Sequence, residues 1–300
     1  MTSRAAHASN ALPGLSSGRG PCQHARVLID DPDDPRVADY RAAFRDRAPG
    51  LFLCEGRFVV RRLLAAPRFR TRSVLATPRA LEELRDALGP TPPPVFLAST
   101  ATMRAIFGFK FHRGCLALGE RPAQVDSPES VLGPPPADGA PSAPRVVIGL
   151  DDVSDPDNVG GIFRNAAAFG ASGVLLSAGC ADPLYRKTIR VSMAATLSIP
   201  FARSEWSAAL DALRRGGYTV VALTPDPDAE PIGRVAPRLA GTRLALILGA
   251  EGYGLGALSR GRADVCVRIP MAPGVDSLNV ATASGIALHR LASGIMGDEP

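Results

Sequence analysis

Five short apolar runs constrain the fold of this 300-residue chain more than any other feature. Each run is almost continuous in Val, Ile, Leu and Ala, without the alternation expected of a strand that has one side in water. Strands that are covered on both faces have this pattern, and they occur in parallel sheets between layers of helices. The runs begin at residues 145, 173, 218, 244 and 263 and read RVVIGL, GVLLS, YTVVALT, LALILG and ADVCVRIP.

Helical segments separate these runs. Their apolar spacing predicts helices at 158–169, 183–193, 205–215 and 277–294. The sequence therefore predicts an α/β domain over 145–300, with a mostly parallel sheet and helices on both faces. Ligands of such sheets bind in the loops beyond the carboxyl ends of the strands, so chemistry is expected in those loops.

The front of the chain is organised separately. Strand-like and helical segments alternate from 51 to 121, after a proline-started helix in which Val37, Tyr40 and Phe44 share one side. The sequence predicts a small α/β domain over 26–121 and a Pro-rich, semi-rigid linker over 122–144. Residues 1–25 are small, polar and Gly-rich, and they predict a disordered tail.

Charge is distributed unevenly along the chain. Residues 51–121 carry twelve Arg or Lys against five Asp or Glu, a net of +7, whereas 144–300 carry fifteen of each. A cationic front half indicates an RNA- or DNA-binding module. Arginine usage typical of a GC-rich genome explains why Lys110 and Lys187 are the only lysines, but it does not explain the asymmetry.

Several classes of protein are disfavoured. The five cysteines are scattered without a C-x-x-C pair, which favours neither a disulfide framework nor a zinc site. No apolar run approaches 18 residues, and residues 1–20 lack the apolar core of a signal peptide. We expect a cytoplasmic protein with no metal and no membrane association.

The first loop at the expected ligand edge, DDVSDPDNVGGIFRNAAAFGA, begins at residue 151 and carries one cation, Arg164. Asp157 or Asn158 is suited to cap the helix that follows. Arg164 points away from the apolar side of this helix, among glycines and alanines that leave room for a ligand or a second subunit. Alternatively, Arg164 pairs with Asp155 or Asp157 in an ordinary surface ion pair.

The second loop follows LALILG and reads AEGYGLG. The strand runs into Gly249, Gly252, Gly254 and Gly256 follow, and Glu251 is the only charged side chain. Closely spaced glycines let backbone amides approach a ligand. The spacing is not the G-x-G-x-x-G of dinucleotide sites, which disfavours an oxidoreductase. An ordinary Gly-rich turn with Glu251 as a helix cap is the alternative.

The third loop, RIPMAPGVDSLNV, begins at residue 268 and leads into a helix. Asp276 or Ser277 is suited to cap that helix, and Asn279 is placed to orient a ligand or to brace the neighbouring loop. Ala281 and Gly285 make the helix small on one side. Such a helix fits close contact with another subunit, and it fits a tightly packed core equally well.

Together the three loops resemble the SpoU (TrmH) family of RNA 2′-O-ribose methyltransferases, within the knotted SPOUT class. The family's N-x-G-x-I-x-R motif is matched from Asn158 to Arg164, and its G-x-E-G-x-G motif from Gly249 to Gly254. Its I-P-M and S-L-N-V segments are matched at 269–271 and 277–280. The resemblance covers 145–296, and 51–121 resembles the family's small substrate-binding domain more loosely.

The resemblance implies a trefoil knot near the C-terminus, S-adenosylmethionine as cofactor, RNA as substrate and a homodimer whose active site uses both subunits. The cofactor pocket would be formed around Leu248, Gly249, Ala250, Ile269, Met271 and Leu278. Arg164 would help to deprotonate the ribose 2′-hydroxyl, with Asn158, Glu251, Ser277 and Asn279 in supporting roles. A guanidinium rarely gives up its proton, so positioning the hydroxyl and stabilising the alkoxide is an equally consistent role.

Some positions depart from the family pattern. The R-x-S-x-G motif is present as RVSMA, so Arg190 and Ser192 match but Ala194 replaces the glycine. His112 and Arg113 stand where relatives often have glutamine. The leading hypothesis is an RNA ribose methyltransferase, with rRNA favoured over tRNA by analogy. The alternative is a non-catalytic RNA-binding protein on the same fold.

Overall fold

The computed structural model describes residues 26–108, 113–124, 126–136 and 143–292. The tail predicted at 1–25, His112 and the last residues of the helix predicted at 277–294 lie outside these ranges. The described residues form two β-sheets, and we call the parts that contain them the front unit and the back unit. None of the helices in these ranges combines the length and the apolar composition that a membrane-spanning segment needs.

The front unit contains a five-stranded sheet in the order β1-β4-β3-β5-β2, in which β5 is antiparallel to β2 and β3 and the other pairs are parallel. Its strands are β1 Arg26–Ile29, β2 Leu51–Glu55, β3 Thr71–Ala76, β4 Val95–Ala98 and β5 Cys115–Glu120. Its helices are α1 Ala38–Phe44, α2 Arg57–Ala65, α3 Pro78–Glu82 and α4 Thr100–Phe107. The sequence predicts all of these elements except β1, a four-residue edge strand.

The segment that joins the two units is docked rather than free. Within the predicted linker 122–144, Pro128–Leu132 form a short helix, α5, whose Val131 and Leu132 are buried. The Tyr218 hydroxyl and the Arg243 Nη2 atom each donate to the Leu132 carbonyl at 2.9 Å. These two hydrogen bonds attach the end of the linker to the back unit.

The back unit is built on a seven-stranded sheet in the order β10-β12-β9-β11-β6-β7-β8, and every pair is parallel. Its strands are β6 Arg145–Asp151, β7 Gly173–Leu176, β8 Phe201–Arg203, β9 Thr219–Leu223, β10 Glu230–Pro231, β11 Arg243–Gly249 and β12 Val265–Arg268. Its helices are α6 Pro156–Ala168, α7 Arg186–Val191, α8 Trp206–Arg215, α9 Ile232–Leu239, α10 Ala257–Arg262 and α11 Val280–Leu291.

Helices cover both faces of this sheet, as the apolar runs predict. Ile148 and Leu246 belong to a core with residues of α6, α9 and α11. Val147 and Ile247, which are adjacent to these residues on the same strands, belong to a second core with residues of α5 and α8. Alternate residues of a strand therefore enter different cores, which explains why the strands are apolar without alternation. The predicted α/β architecture is confirmed.

The sequence misses four elements of the back unit. Strands β8 and β10 have three and two residues, too few for a recognisable pattern. Helix α9 contains Pro237, a residue that disfavours a helix interior because its nitrogen carries no hydrogen. Helix α10 has six residues and follows the Gly-rich loop directly. Each is weakly encoded by local pattern, and tertiary packing determines it.

Candidate active site

The three loops singled out in the sequence meet at one edge of the parallel sheet. They follow β6, β11 and β12, and β9 lies between the last two strands. Because the strands are parallel, their carboxyl ends lie side by side. The sheet therefore brings together residues that are more than 100 positions apart in the sequence, as with Asn158 and Asn279.

Asn279 joins the three loops through its amide group. Its Oδ1 accepts from the backbone nitrogens of Ala281 at 3.0 Å and Thr282 at 3.2 Å, and so caps α11. Its Nδ2 donates to Asn158 Oδ1 at 2.7 Å and to Glu251 Oε1 at 3.0 Å. One side chain thus links the start of α11 to α6 and to the Gly-rich loop, as expected for a residue that braces its neighbour.

The caps predicted from the sequence are wrong in detail. Asn279, rather than Asp276 or Ser277, caps α11, so that helix begins at Val280. Helix α6 begins at Pro156 because Asp155 Oδ1 accepts from the Asp157 nitrogen at 2.7 Å, in place of a cap at Asp157 or Asn158. Several Asp, Ser and Asn residues precede each helix, and local sequence does not decide which of them forms the cap.

The alternative role of Glu251 as a helix cap is also wrong. Gly256, not Glu251, stands at the N-cap of α10, and the Glu251 carboxylate accepts from Asn279 instead. Glu251 is exposed at the edge of the sheet. Its charge is therefore directed towards the space beyond the strand ends, where a ligand is expected.

The Gly-rich loop is folded back on its own strand. A Cβ atom on Gly249 would lie 2.3 Å from the Gly254 carbonyl carbon, so only glycine fits. Gly252 and Gly254 have φ values of +93° and +69°, in the left-handed region that glycine adopts without strain. The turn needs these glycines for its own geometry, whatever ligand it meets.

Asp151, whose role was not predicted from the sequence, fixes the far side of this loop. Its Oδ2 accepts from the Gly256 nitrogen at 3.0 Å and from the Ser259 hydroxyl at 2.6 Å. Ser259 in turn accepts from Trp206 Nε1 at 2.8 Å. The sequence signal for this role was an acidic residue at the end of an apolar, buried strand, because a buried carboxylate needs hydrogen-bond partners.

A pocket of about 570 Å³ lies between these loops. It is lined by all six residues predicted around a cofactor, together with Glu251, Ser277 and Asn279. Residues 223–226 form a fourth loop of the pocket that was not predicted from the sequence, and neither were the contributions of Tyr253 and Arg260. Residues 223–226 lie at the end of the YTVVALT run, so the rule that ligands bind at strand ends would have found them.

Two of the predicted catalytic residues do not line the pocket. Asn158 is only 5% exposed and lies behind Asn279. Arg164 is exposed on α6, outside the pocket lining.

Within the described part of the chain, Arg164 forms no ion pair. Asp155 is occupied as a helix cap, and Lys187 Nζ pairs with Asp157 at 2.8 Å, an interaction that raises the pKa of Lys187.

The glycines near Arg164 serve packing between helices. A Cβ atom on Gly160 would lie 2.8 Å from Val191 Cβ, and one on Gly161 would lie 2.8 Å from Ala281 Cβ. Gly160 and Gly161 belong to the helix face that was predicted to be open to a ligand. They are covered instead by α7 and α11. Toward the end of α6, Ala167 and Ala168 are exposed beside Arg164, so that part of the prediction describes the surface correctly.

The RVSMA segment forms the end of α7 and the turn after it. The Ser192 hydroxyl donates to the Ile189 carbonyl at 3.0 Å. Ala194, which replaces the family glycine, has φ +64° and is buried. Alanine tolerates this left-handed conformation at a cost of about 1–2 kcal/mol. Arg190 is exposed and, like Arg113, lines a different cavity from the pocket.

No group of three or more His, Cys, Asp or Glu side chains in the described ranges is arranged to hold a metal ion. A wholly parallel sheet with a pocket at its carboxyl edge places this protein in the class of α/β proteins that bind a ligand beyond their strand ends.

Comparison with known proteins identifies the family. The model of the SpoU rRNA Methylase family matches residues 145–289. An uncharacterised tRNA/rRNA methyltransferase of Mycobacterium bovis is 40% identical over 269 residues, which is 87% of this chain and 90% of that protein. The chain therefore belongs to the SpoU rRNA methylase family, as its three motifs predict.

Solved structures share the fold. An AdoMet-bound rRNA methyltransferase from Sinorhizobium meliloti aligns with a TM-score of 0.74 at 23% identity, covering 90% of this chain and 98% of that one. An RNA 2′-O ribose methyltransferase aligns with a TM-score of 0.70 at 22% identity, covering 91% and 100%. At these identities the comparison shows a common fold over most of the chain.

Proposed function

We propose that this protein methylates a ribose 2′-hydroxyl in RNA, with S-adenosylmethionine bound in the pocket at the carboxyl edge of the sheet. Membership in the SpoU family makes it an S-adenosylmethionine-dependent RNA methyltransferase. The observation that carries the finer assignment is the amide of Asn279, which holds the N-x-G-x-I-x-R and G-x-E-G-x-G segments together at the pocket. A structural neighbour is an RNA 2′-O ribose methyltransferase.

The pocket fits the cofactor in size and chemistry. Its volume of about 570 Å³ is within the range of small-molecule sites. Leu248, Ile269 and Leu278 give it apolar walls for an adenine ring, and the backbone of the Gly-rich loop provides hydrogen-bonding groups. Asp226 and Glu251 outnumber Arg260 among the charged residues of the described lining, so the lining carries a net negative charge that complements a cation. When bound, the cofactor supplies a methyl group on a positively charged sulfur.

Arg164 is proposed to act on the pocket of a second subunit. It carries the positive charge of the first motif, is exposed, and lies outside the pocket of its own chain. We propose a homodimer in which Arg164 of one copy reaches the pocket of the other. A guanidinium keeps its proton at neutral pH, so the role we assign is to orient the 2′-hydroxyl and to stabilise the alkoxide. Ser277 and Glu251 would orient the substrate.

The finer assignments follow the family. We propose rRNA rather than tRNA as substrate by analogy with relatives that carry a similar front domain. The cationic front unit supports an RNA partner of either kind. We propose the functional division 26–121, 122–144 and 145–300, a trefoil knot near the C-terminus, and a cytoplasmic location. Four free thiols among the described residues are compatible with a reducing compartment.

Methyl transfer to total RNA tests the activity. Wild type should label ribose 2′-O positions, and Arg164→Ala should lower kcat by about 100- to 1,000-fold, as loss of a charge-stabilising donor does. Its affinity for S-adenosylmethionine, measured by calorimetry, should be unchanged. Arg214→Ala, which removes an exposed arginine of α8, is the matched control. If wild type labels no ribose 2′-O position, the proposed activity is contradicted, and the alternative of a non-catalytic RNA-binding protein is favoured.

Mixed dimers test the shared site. Arg164→Ala and Asn279→Ala chains, each impaired alone, are unfolded together and refolded to form heterodimers. If Arg164 serves the partner's pocket, each heterodimer contains one intact site and activity returns. If Arg164 serves its own pocket, both sites remain impaired and mixing restores nothing.

A further inference from the structure

A second cavity, of about 1,180 Å³, lies between the front unit and α7, and no step of the proposed chemistry uses it. The front unit contributes the starts of α2 and α3 and the Arg113–Gly114 segment, and the back unit contributes Arg190 and Met193. We call this space the inter-unit cavity. Its described lining contains four arginines against two glutamates, so the cavity is cationic.

The two glutamates are already neutralised. Glu83 forms ion pairs with Arg57 and Arg79, and Glu55 pairs with Arg186 at 3.3 Å and lies 3.9 Å from Arg113. Arg190 has no carboxylate partner within the residues that the structure describes. The excess positive charge is therefore available to an anion.

Two large apolar side chains are exposed among these cations. Phe58 is 46% exposed and Met193 is 45% exposed, and both line the cavity. The Arg62 guanidinium lies 5.3 Å from the centre of the Phe58 ring. Aromatic rings among arginines are the surface on which unpaired bases stack, whereas bases within a duplex are not accessible to such a ring.

The inter-unit cavity is connected with the catalytic helix. Arg190 directly precedes Val191, whose side chain packs on Gly160. Gly160 lies one helical turn before Arg164 on α6. A strand bound along the cavity would therefore leave it beside the helix that carries Arg164.

We propose that the inter-unit cavity binds an unpaired stretch of the RNA substrate, with one base stacked on Phe58 and a phosphate beside Arg190. This inference rests on the proposed function, since it assigns the substrate's path to the same active site. The cavity selects single-stranded RNA: stacking on Phe58 requires an open base, and Arg190 adds attraction that is independent of sequence.

Fluorescence anisotropy with the full chain tests this assignment. The probes are a labelled RNA of about 12 nucleotides without internal pairing and the same RNA in a duplex. Phe58→Ala should weaken binding of the single strand on the order of tenfold and leave duplex binding nearly unchanged, and Phe58→Trp should bind the single strand like wild type. Leu28→Ala, at a 59% exposed apolar residue on β1, is the matched control.

Arg190 is tested by salt dependence. Arg190→Ala should reduce the slope of log K against log salt for the single strand by about 0.7, the value for one phosphate contact. Arg214→Ala makes the same change of charge elsewhere and should leave the slope unchanged. Equal losses for single strand and duplex on Phe58→Ala, or equal slopes for the two arginine variants, would overturn the proposal. Binding of S-adenosylmethionine should be normal in every variant. If the wild-type protein binds the single strand as described but transfers no methyl group, the proposed function is contradicted and the binding site proposed here is not.

Discussion

Asn279 is the residue on which the geometry of the candidate site depends most. Its carbonyl oxygen caps α11 and its amide nitrogen donates to Asn158 and Glu251, so both ends of the amide are in use. Aspartate is an equally good cap, but it has no N–H to donate. Asparagine is therefore the residue that satisfies the helix and both neighbouring oxygens together.

Substitution of Asn279 should separate these two roles. Asn279→Asp keeps the cap, but its second carboxylate oxygen can only accept, so it cannot donate to Asn158 or Glu251. The buried Asn158 oxygen then has no donor, and we expect the free energy of unfolding to fall by about 1–3 kcal/mol. Asn279→Ala loses the cap as well, at a further cost of about 1 kcal/mol. Urea unfolding measures both. Asp276→Ala should stay within about 0.5 kcal/mol of wild type, and a loss equal to that of Asn279→Ala would contradict the cap assignment.

The sequence predicts which residues surround the pocket better than it predicts what each one does. Gly249 ends β11 and Ile269 directly follows β12, and a parallel sheet places these strand ends side by side. Leu278 lies two residues before α11 and reaches the same pocket. The partners of Asn279 could not be predicted, because they depend on distances between loops that are remote in sequence. The role of Asp151 was missed for the same reason: its partners lie on α10 and in the loop before it.

At the scale of elements, small residues on α6 show where sequence alone is ambiguous. Gly160 and Gly161 fit an open face for a ligand and fit close helix packing equally well. The structure shows close packing at both, with Val191 of α7 and Ala281 of α11. Asn165 Nδ2 strengthens the second contact by donating to the Ala281 carbonyl at 2.7 Å. The longer strands of the back unit, by contrast, were predicted well, because burial on both faces gives a continuous apolar run.

Two helical glycines should therefore respond oppositely to alanine. At Gly160 the new methyl group would lie 2.8 Å from Val191 Cβ and 3.0 Å from the Thr188 carbonyl oxygen. The carbonyl belongs to the backbone of α7, which cannot move aside as easily as the end of a flexible side chain. We expect Gly160→Ala to lower the free energy of unfolding by about 1–3 kcal/mol. At Gly233 of α9 nothing lies within 4 Å, so Gly233→Ala should raise it by about 0.5–1 kcal/mol. Chemical denaturation compares them, and a stabilising Gly160→Ala would show that α6 and α7 are not in tight contact.

At the scale of the molecule, the two units share one core. Ile189 and Leu197 of the back unit belong to the same buried cluster as Cys54 and Val59 of the front unit. The Arg186 guanidinium lies 4.2 Å from the centre of the Phe44 ring across the same boundary. Composition and charge divide the chain into two units, but they give no sign of this contact, because the residues that form it follow no period along the sequence.

A shared core implies that the units unfold together. Ile189 is 1% exposed within that core, so Ile189→Ala should lower the free energy of unfolding by about 2–5 kcal/mol and Ile189→Val by about 0.5–1.5 kcal/mol. Trp206, the only tryptophan, reports on the back unit by fluorescence, and amide exchange in β2 and β5 reports on the front unit. Both probes should give the same free energy for wild type and fall equally in each variant. If the two units were independent, Ile189→Val would lower the back-unit value and leave the exchange of β2 and β5 as it was.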